Sequence, residues 1–441
     1  MKTLVIHNYL TLKNERMRHL KKILTLLLVV CMLVGVVACG GGGGGGSKDV
    51  SLVLAMIGDG QQKDVLDGLL EGFTEETGIK VETLYIAGSW DEYCTKIQTM
   101  VGGGEQLDCA ILAIEGIEMF IDMELASSIN DFIADNPDVA NTIINDTNPD
   151  LAKPFTHSGE TYAFPFSWNN VVMHFNMDRL EEVGLELPPA NWGKAQFLDY
   201  CEALTVEKDG VKEFALAIPS GEYFCAEAWL FNNNAKYMSD DFTTSLINSP
   251  ESVEVFQLWQ DLIYVYGYAP VPDPGVNTIQ QLINGQVAMG SWGRWPTTAY
   301  VNSDFTNVAI QYLPNFQTNV PIYGVDGIFT ISATKHPEEA KALAAWISDK
   351  EFQRQYLSYG NIPASRSLAQ ETISALGIPQ NYQLFYEEVG MMRAVSSPTQ
   401  FSECSLIVTR AMSEIFVNNA DVQDTLDGAA AEMDAVLAAN R

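Results

Sequence analysis

Residues 50–56 (VSLVLAM) form an almost unbroken apolar run of strand length. From 64 to 77 the spacing becomes helical, with Val65, Leu66, Leu69, Leu70 and Phe73 on one face. Gly78 stops that helix, and residues 79–84 read as the next strand. Strand, helix, strand is the unit of a parallel sheet. Residues 90–100 predict a second helix, stopped by Gly102, Gly103 and Gly104, and 107–113 a third strand. In open parallel sheets ligands bind outside the carboxyl ends of the strands. That rule draws Asp59, Gln61, Trp90 and Glu115 toward one place.

The stretch 160–197 organises the chain. A turn at Ser158-Gly159-Glu160 opens it. Residues 162–168 are aromatic and interrupted by Pro165, too bulky and broken for an amphipathic helix. Residues 171–176 alternate as a strand, 178–183 read as a short helix ended by Gly184, and Pro188-Pro189 stiffens the approach to Trp192 and a new helix. This succession suits a crossing between two lobes better than a catalytic loop. Further on, 214–218 (FALAI) reads as a strand, Ser249-Pro250-Glu251 caps a long helix, and 278–284 is helical. Residues 308–313 and 328–331 read as strands, and a proline-started helix begins at His336-Pro337. The tail, 401–439, predicts two helices.

The amino terminus has a different character. Arg16, Arg18, Lys21 and Lys22 precede an apolar run over 23–37, and small residues then precede Cys39. A basic flank, an apolar stretch and a small-residue cleavage site read as an export signal over 1–38. The run is short for a spanning helix, which needs about 20 residues; an uncleaved anchor helix is the alternative. Met17 opens a complete signal of its own, so the start lies at Met1 or Met17. Residues 40–46 are all glycine. Such a segment makes a flexible tether over 39–48, with a reach of roughly 15–20 Å.

Composition narrows the partners. The net charge is −31, and removing 1–38 leaves a chain more acidic still. Nucleic acid is excluded, because binding it needs a basic face. An exported protein this acidic is expected to stay monomeric. Five cysteines remain after Cys31 and Cys39: Cys94, Cys109, Cys201, Cys225 and Cys404. They lack metal-like spacing and read as buried apolar residues, with a Cys94–Cys109 pairing left open.

Four phrases carry a resemblance. YAFPFSWNNVVMHFNMDRLEEVGLELPPANW at 162–192 is the first, and GQVAMGSWGRW at 285–295 the second. HPEEA at 336–340, continued by Glu351, Phe352 and Gln353, is the third, and NIPA at 361–364 the fourth. FTEETGIKVETL at 73–84 agrees with them. Together they resemble the family 1 extracellular solute-binding proteins, the sugar-binding components of ABC importers. NNNAKY at 232–237 departs from the family pattern, and 401–415 is a looser match.

The resemblance implies an α/β fold of the two-lobed periplasmic-binding-protein type (type II). Each lobe is a mixed sheet flanked by helices, and hinge strands join the two. Residues 49–160 would start lobe 1, 161–320 would be mainly lobe 2 with the hinge crossings, and 321–441 would return to lobe 1 and add the terminal helices. It also makes Cys39 the lipid-bearing residue on the outer face of the cell membrane, and permease subunits the partners. The ligand would be a mono- or oligosaccharide. Aromatic rings suit its C–H faces and polar side chains its hydroxyls. The expected contacts are Asp59, Gln61, Trp90, Glu115, Trp168, Asn169, Glu222, Tyr223, Trp229, Trp292, Arg294, Trp295, Tyr323 and Asp326. Tyr162 and Phe164 are expected in the core.

Catalytic patterns are missing. The five histidines, His7, His19, His157, His174 and His336, make no zinc motif, and no G-x-S-x-G occurs. Gly58-Asp59-Gly60 lacks the spacing of a phosphate loop. No cofactor or metal is called for. The open alternatives are a polyol, sugar phosphate or peptide as ligand, a ligand sensor, and a surface glycosidase.

Overall fold

The computed structural model describes residues 50–58, 60–356, 362–372, 377–387 and 392–439. The export signal, Cys39, the glycine tether and Asp59 lie outside the described residues.

The first lobe starts as the apolar pattern predicts. Strand β1 (Ser51–Ile57) is followed by helix α1 (Gly60–Thr77) and β2 (Lys80–Ile86), which pairs parallel to β1. Gly78 closes α1: its N–H donates to Thr74 O (2.9 Å) at φ +76°, a conformation glycine adopts without strain. Helix α2 (Trp90–Gly102) leads to β3 (Cys109–Ala113), every residue of which is buried, and α3 (Ile114–Asp122) starts directly from its end.

Strand β4 (Ala163–Asn170) belongs to the same sheet, and β5 (Val172–Asn176) to the other. One residue, Val171, separates them, so the chain crosses between lobes there. The second sheet continues with β6 (Val206–Lys208), β7 (Val211–Ala217), β8 (Val287–Trp292) and β9 (Val308–Gln311), in the order β9-β5-β8-β7-β6. Helices α4 (Tyr223–Asn232) and α5 (Pro250–Tyr264) belong to this lobe. The chain returns as β10 (Ile322–Thr330), antiparallel to both β3 and β4. Short strands β11 (Ile362–Pro363) and β12 (Arg393–Ala394) complete the first sheet, whose path is β11-β4-β10-β3-β1-β2 with β12 beside β10. Both sheets are mixed, as the two-lobed fold requires.

Pro165 stands inside an interior strand, where it cannot donate to the ladder. The register shifts between Asp326 and Gly327 at this point, skipping Phe166. A β-bulge is the usual accommodation of proline within a sheet.

The last two helices, α6 (Phe401–Phe416) and α7 (Val422–Ala438), tie the lobes together. Helix α6 packs on α2 and α3 of the first lobe and on α4 and α5 of the second. Phe416 stacks on Phe256 at 6.0 Å, and Phe401 meets Tyr223 edge-on at 5.3 Å. The five described cysteines are buried and free, so the Cys94–Cys109 pairing is not formed. Phe164 is in the core, while Tyr162 is only half-buried.

Candidate ligand-binding cleft

The carboxyl end of β3 delivers Glu115 in the first turn of α3, where it is 5% exposed. Antiparallel pairing sets Asp326 of β10 opposite Ala113 on one side and Ser167 on the other. Ser167 Oγ donates to Asp326 Oδ2 at 2.6 Å. Tyr93, buried on α2, meets the half-buried Trp90 edge-on at 5.6 Å and lies close enough to Asp326 to feel its charge.

Lobe 2 and the crossings face this group. Phe224 approaches Gly324 of β10 so closely that a Cβ there would lie 3.3 Å from its ring. Trp295 lies 6.4 Å from Phe224. Asn169 Oδ1 accepts from the Arg294 N–H at 3.2 Å, and the buried Arg294 guanidinium lies over Tyr382 at 5.2 Å. The Trp292 indole and the Cys225 thiol both hydrogen-bond the Glu222 carboxylate.

Glycines 290 and 293 explain the spacing of the GSWGRW phrase. A Cβ on Gly290 would sit 2.0 Å from the Trp292 ring, and one on Gly293 2.3 Å from the Trp295 ring. Each indole folds back over a backbone that has no side chain. His174 holds the segment from behind. Its Nε2 faces the carbonyls of Trp292 (3.3 Å) and Gly293 (3.0 Å), and Tyr300 Oη is 3.0 Å from Nδ1. Carbonyls only accept, so Nε2 carries the proton and the neutral ring's Nδ1 accepts from the tyrosine. Burial pushes the His174 pKa down to about 4, which keeps the ring neutral.

The carboxyls are displaced the other way. Burial raises Glu115 to about 8, Glu227 to about 7 and Asp326 to about 6, and raises Glu222 as well. Glu227 is fully paired, accepting from the N–H and hydroxyl of Ser396 and from Tyr237 N–H. By contrast, Glu115 Oε2, Tyr93 Oη and both polar atoms of the Asn170 side chain are buried with no hydrogen-bond partner among the described residues. Buried polar groups are ordinarily paired.

Of the expected contacts, Glu115 lies near Asp326, Asn169 beside Arg294 and Glu222 beside Trp292, while Trp90 and Trp295 pack against Tyr93 and Phe224. Tyr323 is 7% exposed and pinned through its hydroxyl to Asp150 O (3.3 Å). Three others are packing residues. Trp168 donates to Pro363 O (3.1 Å), Trp229 to Ser291 Oγ (3.0 Å), and Tyr223 to Ser396 O (3.0 Å), all buried. Trp292, 2% exposed, presents its indole N–H to Glu222 rather than a free face. Asp59 and the side chain of Gln61 lie outside the described residues. Sequence reasoning missed Tyr93, Ser167, Asn170, Phe224 and Glu227. Tyr93 had a signal, since it sits three residues after Trp90 on a predicted helix.

A separate depression of about 330 Å³, lined by Asp146, Ser365 and Ser367 among others, lies away from the cleft. Its carboxylate accepts from both serine hydroxyls and from Ser367 N–H, so it is already paired. Among the described residues no helix is long and apolar enough to cross a membrane.

The comparisons agree with this architecture. Its structural relatives include an ABC substrate-binding protein from Listeria monocytogenes in complex with cycloalternan. It superposes with a TM-score of 0.81 at 20% identity, over 88% of this chain and 99% of that one. The maltotriose-binding protein of Thermus thermophilus, bound to maltotriose, gives 0.73 at 16%, over 88% and 100%. A binding protein of Brucella abortus is 20% identical over 79% of this chain and 84% of its own length. An arabinooligosaccharide-binding protein of Halalkalibacterium halodurans is 25% identical over 47% and 48%. The family model described as bacterial extracellular solute-binding protein matches residues 68–379, well over half of the sequence, and the chain belongs to that family.

Proposed function

We propose that this protein captures a carbohydrate between its two lobes and delivers it to a membrane permease of an ABC importer. One observation supports the reading: four buried polar atoms, on Glu115, Tyr93 and Asn170, have no partner among the described residues, and the Trp90 ring packs on Tyr93 and Trp295 on Phe224. A sugar ring offers hydroxyls to the first and apolar faces to the second. Cycloalternan and maltotriose, the ligands of two structural relatives, are carbohydrates. Hinge closure follows from the fold, because only a closed form touches the ligand from both sides. The protein is assigned no reaction. Export through residues 1–38, lipid attachment at Cys39 and a monomeric state complete the proposal.

A thermal-shift panel of mono- and oligosaccharides, with amino acids and phosphates as controls, tests the ligand class. A ligand at 100 times its Kd stabilises by about 2.7 kcal/mol. A shift with one sugar class supports the reading. Shifts only with a peptide or an anion, or turnover of a bound sugar, sink it. Mass spectrometry of the membrane-associated protein tests the anchor, and Cys39→Ser should release the protein from the membrane.

A further inference from the structure

The polar atoms in the cleft are not balanced in charge. Asp326 on β10 and Glu227 on α4 both lie close enough to Glu115 on α3 to act on its carboxyl, and Glu222 lies at the start of α4. The groups close enough to act on the Glu115 carboxyl, or to be acted on by it, are Asp326, Glu227, Tyr223, Cys225 and Cys94. All are acidic or neutral. Arg294 lies over Tyr382. Glu227 has three donors from its own chain, and Asp326 has one. Glu115 Oε2, on a side chain 95% buried, has none among the described residues. Once ionised, a buried carboxylate beside two others is costly unless a cation joins it. The whole chain adds to this field, with a net charge of −31 that attracts cations and repels anions.

We infer that the carbohydrate taken by this cleft carries a free protonated amine, held by Glu115 Oε2 and the neighbouring Asp326 carboxylate. The inference rests on the proposed carbohydrate function and names the chemical class of the sugar. It also disfavours sugar phosphates, whose charge would meet Asp326 and Glu227 beside Glu115. The neighbouring rings of Tyr93 and Trp90 suit a cation, since aromatic faces attract positive charge. In the empty cleft at neutral pH the Glu115 carboxyl, raised to about 8, holds its proton. An ammonium group reverses that, so binding of the amine expels the proton, whereas a neutral sugar leaves it in place.

The test is isothermal titration of the purified protein at pH 7 with matched ligands. These are glucosamine, galactosamine and short glucosamine oligomers, their N-acetylated forms, the corresponding neutral hexoses, and putrescine as a cation without a ring. The expected result is that one free-amine sugar binds at least about tenfold tighter than its N-acetylated and neutral counterparts. Its heat should vary with the ionisation heat of the buffer, reporting proton release, and its affinity should fall with added salt. Glu115→Gln should erase the amine preference and the proton release; Asp326→Asn is the second variant should the first not fold. A neutral or N-acetylated sugar binding as tightly overturns the amine and leaves the sugar reading standing. Putrescine outbinding every amino sugar overturns the sugar component. No binding by any sugar removes both.

Discussion

The Ser167 hydroxyl donates to the Asp326 carboxylate at 2.6 Å across the antiparallel pair β4–β10, beside the bulge that Pro165 imposes. Among the described residues this is the one hydrogen bond acting on a carboxyl that burial has raised to about 6. Ser167→Ala removes it. The Asp326 pKa should rise further and ligand affinity near neutral pH should drop about three- to tenfold, a charge-assisted hydrogen bond contributing about 1.5–3 kcal/mol at most. Carboxyl titration by NMR in the two proteins, with a titration of the bound sugar, checks it.

Stability should depend on pH in a manner set by groups moved in opposite directions. Glu115, raised from 4.5 to about 8, contributes stability that is complete below its unfolded pKa and is lost as pH climbs through 8. Glu227, raised to about 7, acts with the same sign. His174, lowered from 6.5 to about 4, contributes stability present above 6.5 and lost as pH falls through 4. The unliganded protein should therefore lose melting temperature between about pH 6 and 8, by an amount corresponding to roughly 2–4 kcal/mol. Glu115→Gln should flatten that arm and leave the acid arm intact. An unchanged alkaline slope in the variant would count against the assignment.

Two tryptophans three positions apart in the GSWGRW phrase should respond differently. Trp292 is 2% exposed, packed edge-on to His174 at 5.7 Å, and bonded to Glu222. Its replacement by alanine should cost about 3–5 kcal/mol of stability. Trp295 is half-buried against Phe224 at 6.4 Å. Trp295→Ala should cost little stability and weaken ligand binding about tenfold or more. Urea unfolding and ligand titration on both variants separate the roles; equal effects on stability would refute the distinction.

Gly293→Ala should act through the ring beside it. The added carbon would lie 2.3 Å from the Trp295 ring and 2.8 Å from Asn170 O. Either the indole leaves its position or the first crossing shifts. A stability loss of about 1–3 kcal/mol is expected, with altered tryptophan fluorescence and weaker binding. Wild-type affinity in a folded variant would show that the indole position is unimportant.

Behind the same segment, Tyr300→Phe removes the hydroxyl that donates to His174 Nδ1. The buried nitrogen is left unpaired, and about 1–3 kcal/mol should be lost. His174 should then titrate at a different pH, measurable by NMR on the ring.

Much of the fold was legible along the chain because local periodicity reports which side of an element meets the core. Residues 79–84 against Lys80–Ile86, and 171–176 against Val172–Asn176, differ only at their ends. Phrases such as GSWGRW were legible for a related reason: glycine beside tryptophan records an indole lying on its own backbone.

The side each tryptophan faces was decided elsewhere. Trp168 finds its carbonyl 195 residues away and Trp229 its hydroxyl 62 residues away. No local pattern carries that information, because any exposed-looking indole becomes core once a distant acceptor reaches its N–H. The candidate site was settled the same way. Asp326 meets Ser167 and the end of β3 through sheet register, and Glu115 and Tyr93 come from different helices. By itself the sequence determined the elements, the family phrases and an acidic, aromatic-rich chain. Long-range strand pairing and burial decided which carboxyl would stand without a partner, since desolvation and pairing are properties of the packed interior.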